Sequence, residues 1–112
     1  MPTLYTRTFD LKESLSDQEV QEFWELCMNQ LLPAIRKMDG SITARAFSGA
    51  GALRADLTLA WIMDDAAVYE RALHNPELRG LIGKLYAAID LRTSDQGFQR
   101  EITPELIQAL GG

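Results

Sequence analysis

Apolar and polar residues alternate over "TLYTRTFDL" (3–11), with Leu4, Thr6 and Thr8 on one face and Tyr5, Arg7 and Phe9 on the other. A period of two predicts a β-strand. The spacing then changes to three and four: Val20, Phe23, Trp24, Cys27, Leu31, Ile35 and Met38 make one broad helical stripe. Ser16 or Asp17 can cap that helix, and Glu19 stands where a capping box from Ser16 requires it. Pro33 removes a backbone donor and crowds the preceding turn, which predicts a kink. Asp39-Gly40 ends the helix, Gly40 being suited to a left-handed cap.

Two more alternating runs flank "SGAG" (48–51) and predict a β-hairpin with a loop longer than the tightest kind. Asp64 or Asp65 caps a second helix to about residue 74, and Asn75-Pro76 restarts it. Leu78, Leu81, Ile82, Leu85 and Ile89 form its core stripe. "RTSDQG" reads as a loop, "FQREI" as a short edge strand, and Thr103-Pro104 as the start of a small helix over 103–110. The element order predicts an α+β, ferredoxin-like (β-α-β-β-α-β) fold with an antiparallel four-stranded sheet. Residues 1–112 are expected to form a single domain with its core over about 3–102.

Two helices cover one face of such a sheet, and a bare face of that size needs a partner. A homodimer through the sheet faces is therefore expected. Leu4, Ile42, Ala44, Leu57, Leu59 and Trp61 form an apolar set that suits the helices. The opposite set is Tyr5, Arg7, Phe9, Thr43, Arg45, Phe47, Asp56, Thr58 and Ala60. Reversing the assignment would bury Arg7 and Arg45 beneath apolar helices, which is costly for unpaired charges. The second set can line a cavity for a small aromatic or anionic molecule, with Tyr5, Arg7, Arg45, Phe47 and Asp56 as its candidate residues. Its other reading is a set of structural ion pairs inside the dimer interface.

Composition narrows the function classes. The formal charge is −5 and the 11 Lys and Arg are scattered, so no basic stripe marks a nucleic-acid surface. No run approaches the length of a membrane span and no signal-peptide core opens the chain, so a cytoplasmic location is expected. Cys27, the single cysteine, lies among apolar residues and reads as a buried thiol. No Cys/His cluster has metal-ligand spacing, and no cofactor is expected. Asp64 and Asp65 read as helix caps, Trp61 as a core residue, and His74 as a surface residue in a helix's last turn beside Glu70.

Three stretches, "LLPAIRKMDGSITARAFSG", "AWIMDD" and "YERALHNPEL", together resemble the antibiotic-biosynthesis monooxygenase group of dimeric α+β barrel proteins. The resemblance spans roughly residues 3–102 and rests on Pro33, Gly40, Trp61 and Asn75-Pro76. It implies homodimers paired sheet against sheet and, in some members, cofactor-independent oxygenation of aromatic substrates. By that resemblance Trp61 and Tyr69 are counterparts of residues near the substrate. The positions that haem-degrading relatives use fall on Thr6, Ala72 and Ile82, none of which matches, so haem degradation is not implied. The expectation is a small dimeric protein, either a cofactor-independent monooxygenase of a small aromatic or polyketide-like molecule or a non-catalytic ligand-binding protein.

Overall fold

The computed structural model describes residues 1–50 and 52–111; Gly51, in the predicted "SGAG" turn, and Gly112 lie outside the described residues. Four strands, β1 (Thr3–Leu11), β2 (Ser41–Ser48), β3 (Leu57–Met63) and β4 (Ile89–Arg100), form one sheet in the order β2-β3-β1-β4. Every neighbouring pair is antiparallel. The fold is the ferredoxin-like α+β arrangement that the element order predicts.

The first helical stretch begins at α1 (Asp17–Leu26), where Ser16 and Glu19 make the capping box reciprocally. It passes through a π-helical turn (Cys27–Leu31) and ends as α2 (Leu32–Arg36). Pro33 is accommodated by that wide turn, in which the Leu32 N–H reaches the Cys27 carbonyl five residues back. One extra residue per turn relieves the crowding a proline imposes and brings Leu31 and Leu32 into the core side by side. Gly40 follows with φ +88°, in the left-handed region. Asp65 caps α3 (Ala66–Leu73) by accepting from Ala67 N–H, and Asn75 caps α4 (Pro76–Tyr86) by accepting from Glu77 and Leu78. A last helix, α5 (Pro104–Gly111), carries no buried side chain. No helix among the described residues is long and apolar enough to cross a membrane.

Two sequence expectations need correction. The segment read as loop plus short edge strand is one twelve-residue strand, β4, and Ile89 opens it rather than closing the α4 stripe. Turn chemistry is present, but the sheet absorbs it. Arg92 N–H bonds Asp90 Oδ1 and Thr93 Oγ1 bonds the Asp90 carbonyl, and the register against β1 shifts from Thr8↔Asp95 to Asp10↔Asp90. The result is a bulge, not a break.

The second correction concerns the faces. Tyr5, Arg7 and Phe9 pair directly with Trp61, Leu59 and Leu57, so all six share the helix-covered face. Leu4 lies on the outer face instead, across from Ile62. Phe9 and Leu11 are the reason: both are fully buried, and they anchor the odd-numbered side of β1 in the core. Ile42, assigned to the helix face, is 54% exposed because a bulge falls between Ser41 and Thr43. The core is a single continuous cluster centred on Phe9, Leu31, Leu57, Met63 and Leu78.

Candidate functional site

Between the inner sheet face and the helices lies a cavity of about 120 Å³. Leu59 and Trp61 on β3 form its floor, Leu31 at the end of the π turn and Leu32 at the start of α2 one wall, and Ala72, Leu78 and Ile82 on the later helices another. Tyr5, Arg7, Tyr69 and Tyr86 supply the polar atoms at its rim. Pairing across the sheet explains why these residues meet. Tyr5 stands opposite Trp61 on one side and Phe98 on the other, and Arg7 stands opposite Leu59 and Gln96.

The aromatic rings are in contact. Tyr5 and Tyr69 have centroids 4.6 Å apart, and Phe98 lies 5.0 Å from each. Trp61 is 6.5 Å from Tyr69 and donates its indole N–H to Ser41 Oγ at 2.8 Å, so its polar atom is satisfied while its ring faces the cavity.

Arg7 is the chemical centre of the rim. Its Nε donates to Tyr5 Oη at 3.1 Å, Nη1 to Ser94 Oγ at 3.0 Å and Nη2 to Gln96 Oε1 at 3.0 Å. Tyr5 Oη in turn donates to Gln96 Oε1 at 3.0 Å. The guanidinium carbon also lies 5.4 Å from the centroid of the Tyr86 ring, within cation–π range. These contacts offset the cost that argued against placing Arg7 under the helices. No carboxylate among the described residues lies within salt-bridge distance of it; the ion pairs found are Arg54–Asp17 and Arg92–Asp90.

Burial pushes the Tyr5 phenol up to about 12, a larger effect than the opposing pull of Arg7. Burial by itself would lower the Arg7 guanidinium, but its hydrogen bond and Coulomb attraction to Tyr5, with lesser attraction to Tyr86 and Tyr69, leave it raised. At neutral pH the pair is therefore a neutral phenol beside a fixed cation. Because the folded-state value of Tyr5 exceeds the ordinary value of 10.0, its contribution to stability is complete below pH 10 and is lost as pH rises toward 12. Tyrosinate absorbance followed against pH is expected to show one of the three tyrosines ionising late, and Tyr5→Phe is expected to remove that late phase. An unchanged curve in the variant would refute the assignment.

Of the candidate residues, Tyr5, Arg7, Trp61 and Tyr69 meet at this cavity. Arg45 and Phe47 do not. They pair with Ala60 and Thr58 on the outer face, and both are exposed. Asp56 is exposed in the connection before β3, with φ +54°, and its N–H bonds Asp10 Oδ1. Arg7 and Arg45 thus stand on opposite sides of the sheet, and the expected convergence of the two does not occur. Tyr86, Ser94 and Gln96 were missed. Gln96 and Phe98 alternate along β4 on the parity that faces Arg7 and Tyr5, a pattern hidden once "RTSDQG" is read as a loop.

The other reactive side chains lie elsewhere. Cys27 is 0% exposed, and burial raises its thiol to about 11, so it is held protonated in the core. His74 forms the C-cap of α3 and is exposed, and it makes no ion pair with Glu70. Among the described residues, no group of three or more His, Cys, Asp or Glu side chains is placed to hold a metal ion.

No protein-family model and no curated protein matches the chain. Solved structures do. SnoaB, a cofactor-independent oxygenase from Streptomyces nogalater, superimposes with a TM-score of 0.71 at 15% identity, over 92% of this chain and 97% of that one. A dimeric protein of unknown function and ferredoxin-like fold from Bacteroides fragilis gives 0.74 at 10% identity, over 89% and 96%. A protein solved as an antibiotic biosynthesis monooxygenase gives 0.68 at 10% identity, over 92% and 100%. The shared architecture spans nearly the whole of each chain. At these identities it is the fold that is shared.

Proposed function

We propose that the protein binds a small aromatic or polyketide-like molecule between its sheet and helices and acts on it as a cofactor-independent monooxygenase. The observation that carries this reading is the cavity itself: apolar walls, aromatic rings in tilted and edge-to-face contact, and one cation with no acidic partner at the rim. The fold shared with SnoaB, an oxygenase that is cofactor-independent, supports the reaction class. Oxygenation without a cofactor draws its electrons from the substrate. An activated CH2 group becomes C=O while dioxygen delivers one atom to that carbon and the other to water. The substrate must first become electron-rich as an enolate or phenolate. A fixed guanidinium stabilises that anion without reorganising at the moment of reaction. In this scheme Arg7 holds the substrate oxygen, Tyr5 orients Arg7, and the apolar walls exclude water.

One observation favours the second reading, a non-catalytic binding protein. Among the described residues no His, Asp, Glu or Lys lines the cavity, and Tyr5 is held protonated, so the lining offers no general base. Oxygen uptake separates the two. A monooxygenase consumes dioxygen with electron-rich phenols or enolisable ketones that bind in the cavity; bound ligand with no uptake across such a panel supports the binding protein.

The outer sheet face, with Leu4, Phe47, Ala60 and Ile62, is the proposed homodimer contact. The dimeric Bacteroides fragilis neighbour supports it. Light scattering at low micromolar concentration is expected to give twice the 12.5 kDa chain mass, and a stable monomer would reject it.

A further inference from the structure

We infer that the cavity selects a single-ring aromatic anion, a benzoate- or phenolate-type molecule, whose charged group is fixed by Arg7 and whose ring lies against Trp61 and Tyr69. This inference rests on the ligand-binding reading above and names the ligand class for the same site.

Three observations converge on it. The first is charge. Arg7 is half-buried, and its contacts are all neutral: a phenol, a hydroxyl, an amide and an aromatic face. A guanidinium has five N–H bonds, and the three hydrogen bonds described leave two unassigned. A half-buried cation with spare donors and no carboxylate partner is suited to an anionic oxygen supplied from outside. The chain as a whole carries −5, so attraction of anions here is local to Arg7 rather than a property of the surface.

The second is the chemistry of the walls. Apart from Arg7 and the tyrosine hydroxyls, every cavity-lining side chain is apolar or aromatic. No acidic side chain lines the space, which disfavours amines and metal ions. A sugar or other polyol would leave most of its hydroxyls without partners, at a cost in buried unsatisfied polar groups. A flat ring with one charged edge satisfies both parts of the site.

The third is size. A cavity of about 120 Å³ is close to the ~150 Å³ space that accommodates a benzene molecule in an engineered protein core. Typical pockets for larger organic ligands run to about 300–1,000 Å³. One ring fills this space, and three fused rings would extend well beyond its walls.

Calorimetric titration with benzoate, its neutral isostere benzamide, and 9-anthracenecarboxylate tests each element separately. Benzoate is expected to bind about tenfold to a hundredfold more tightly than benzamide, the range for a hydrogen bond to a charged group. Anthracenecarboxylate is expected not to bind. Arg7→Met should abolish the benzoate preference. Arg7→Lys, which keeps the charge, should retain part of it, and Arg79→Met, on the exposed surface of α4, should leave it unchanged. Circular dichroism of each variant establishes that it is folded. Should Arg7→Met fail to fold, the wild-type benzoate-to-benzamide ratio still decides. Equal binding of benzoate and benzamide, or a preference that survives Arg7→Met, overturns the anion assignment while leaving a ligand cavity standing. Tighter binding of the three-ring acid overturns the size assignment alone. Failure of all three compounds and of neutral naphthalene to bind would overturn the inference together with the ligand-binding reading on which it rests.

Discussion

Replacing Gly40 with alanine is expected to destabilise the protein by about 2–5 kcal/mol, a large share of the roughly 5–15 kcal/mol that holds a domain folded. Two costs add. Gly40 has φ +88°, where an L-residue loses on the order of 1–2 kcal/mol to its own Cβ. The new Cβ would also stand 2.6 Å from Val68 Cγ2 and 3.3 Å from an Arg71 guanidinium nitrogen. Val68 is buried in α3 and cannot swing aside, and Arg71 is engaged with the Asp39 carbonyl at 2.9 Å. Relief would require α3 to move away from the turn that leads into β2. Because α3 also carries Tyr69 and Ala72, the cavity would lose its wall with the same shift. Urea unfolding of the variant beside wild type measures the effect. A loss below about 1 kcal/mol would mean that the α3 contact yields easily.

Filling the cavity is the second large effect, and it acts on binding. Ala72 is buried on α3 and lines the empty space. Ala72→Leu adds three carbon atoms directed into the volume that a ligand ring would occupy. Burying them favours folding by about 0.8 kcal/mol per methylene, whereas crowding an already filled core costs about 1–3 kcal/mol. Since space is available, thermal stability is expected to hold or rise, while affinity for any cavity ligand falls by more than about tenfold. Thermal melts and calorimetric titration on one preparation read both quantities. Destabilisation by more than about 2 kcal/mol would show that the volume is not open, and unchanged affinity would place the ligand elsewhere.

These expectations draw unequally on sequence and structure. The Asn75 cap, the left-handed Gly40 and the order of strands and helices were legible in the sequence, and the caps of the other two helices were narrowed to pairs from which the structure selects Ser16 and Asp65. Each depends on residues only a few positions apart, through hydrogen bonds or backbone geometry that local chemistry specifies. Fold class followed from that order. Placement of the site did not. Counting Arg7 as too costly to bury put β1 on the wrong face, because its three hydrogen-bond partners come from Tyr5, Ser94 and Gln96, two of them nearly ninety residues away. One local clue was available: Leu11 shares the parity of Phe9 and makes the odd-numbered side of β1 the more apolar.

The bulges in β2 and β4 were equally invisible, since an extra residue in a strand is set by the partner strand's register rather than by its own sequence. They decided which residues near them face the helices, Ile42 among those turned outward. The sequence by itself determined the helices, the first three strands and the antiparallel α+β scheme, all encoded in short-range periodicity, but not the extent of β4. Tertiary structure alone decided that Tyr5, Arg7, Trp61 and Tyr69 surround one cavity while Arg45, Phe47 and Asp56 stand away from it. That choice rests on long-range pairing, in which a cation's burial is settled by partners brought from the far end of the chain.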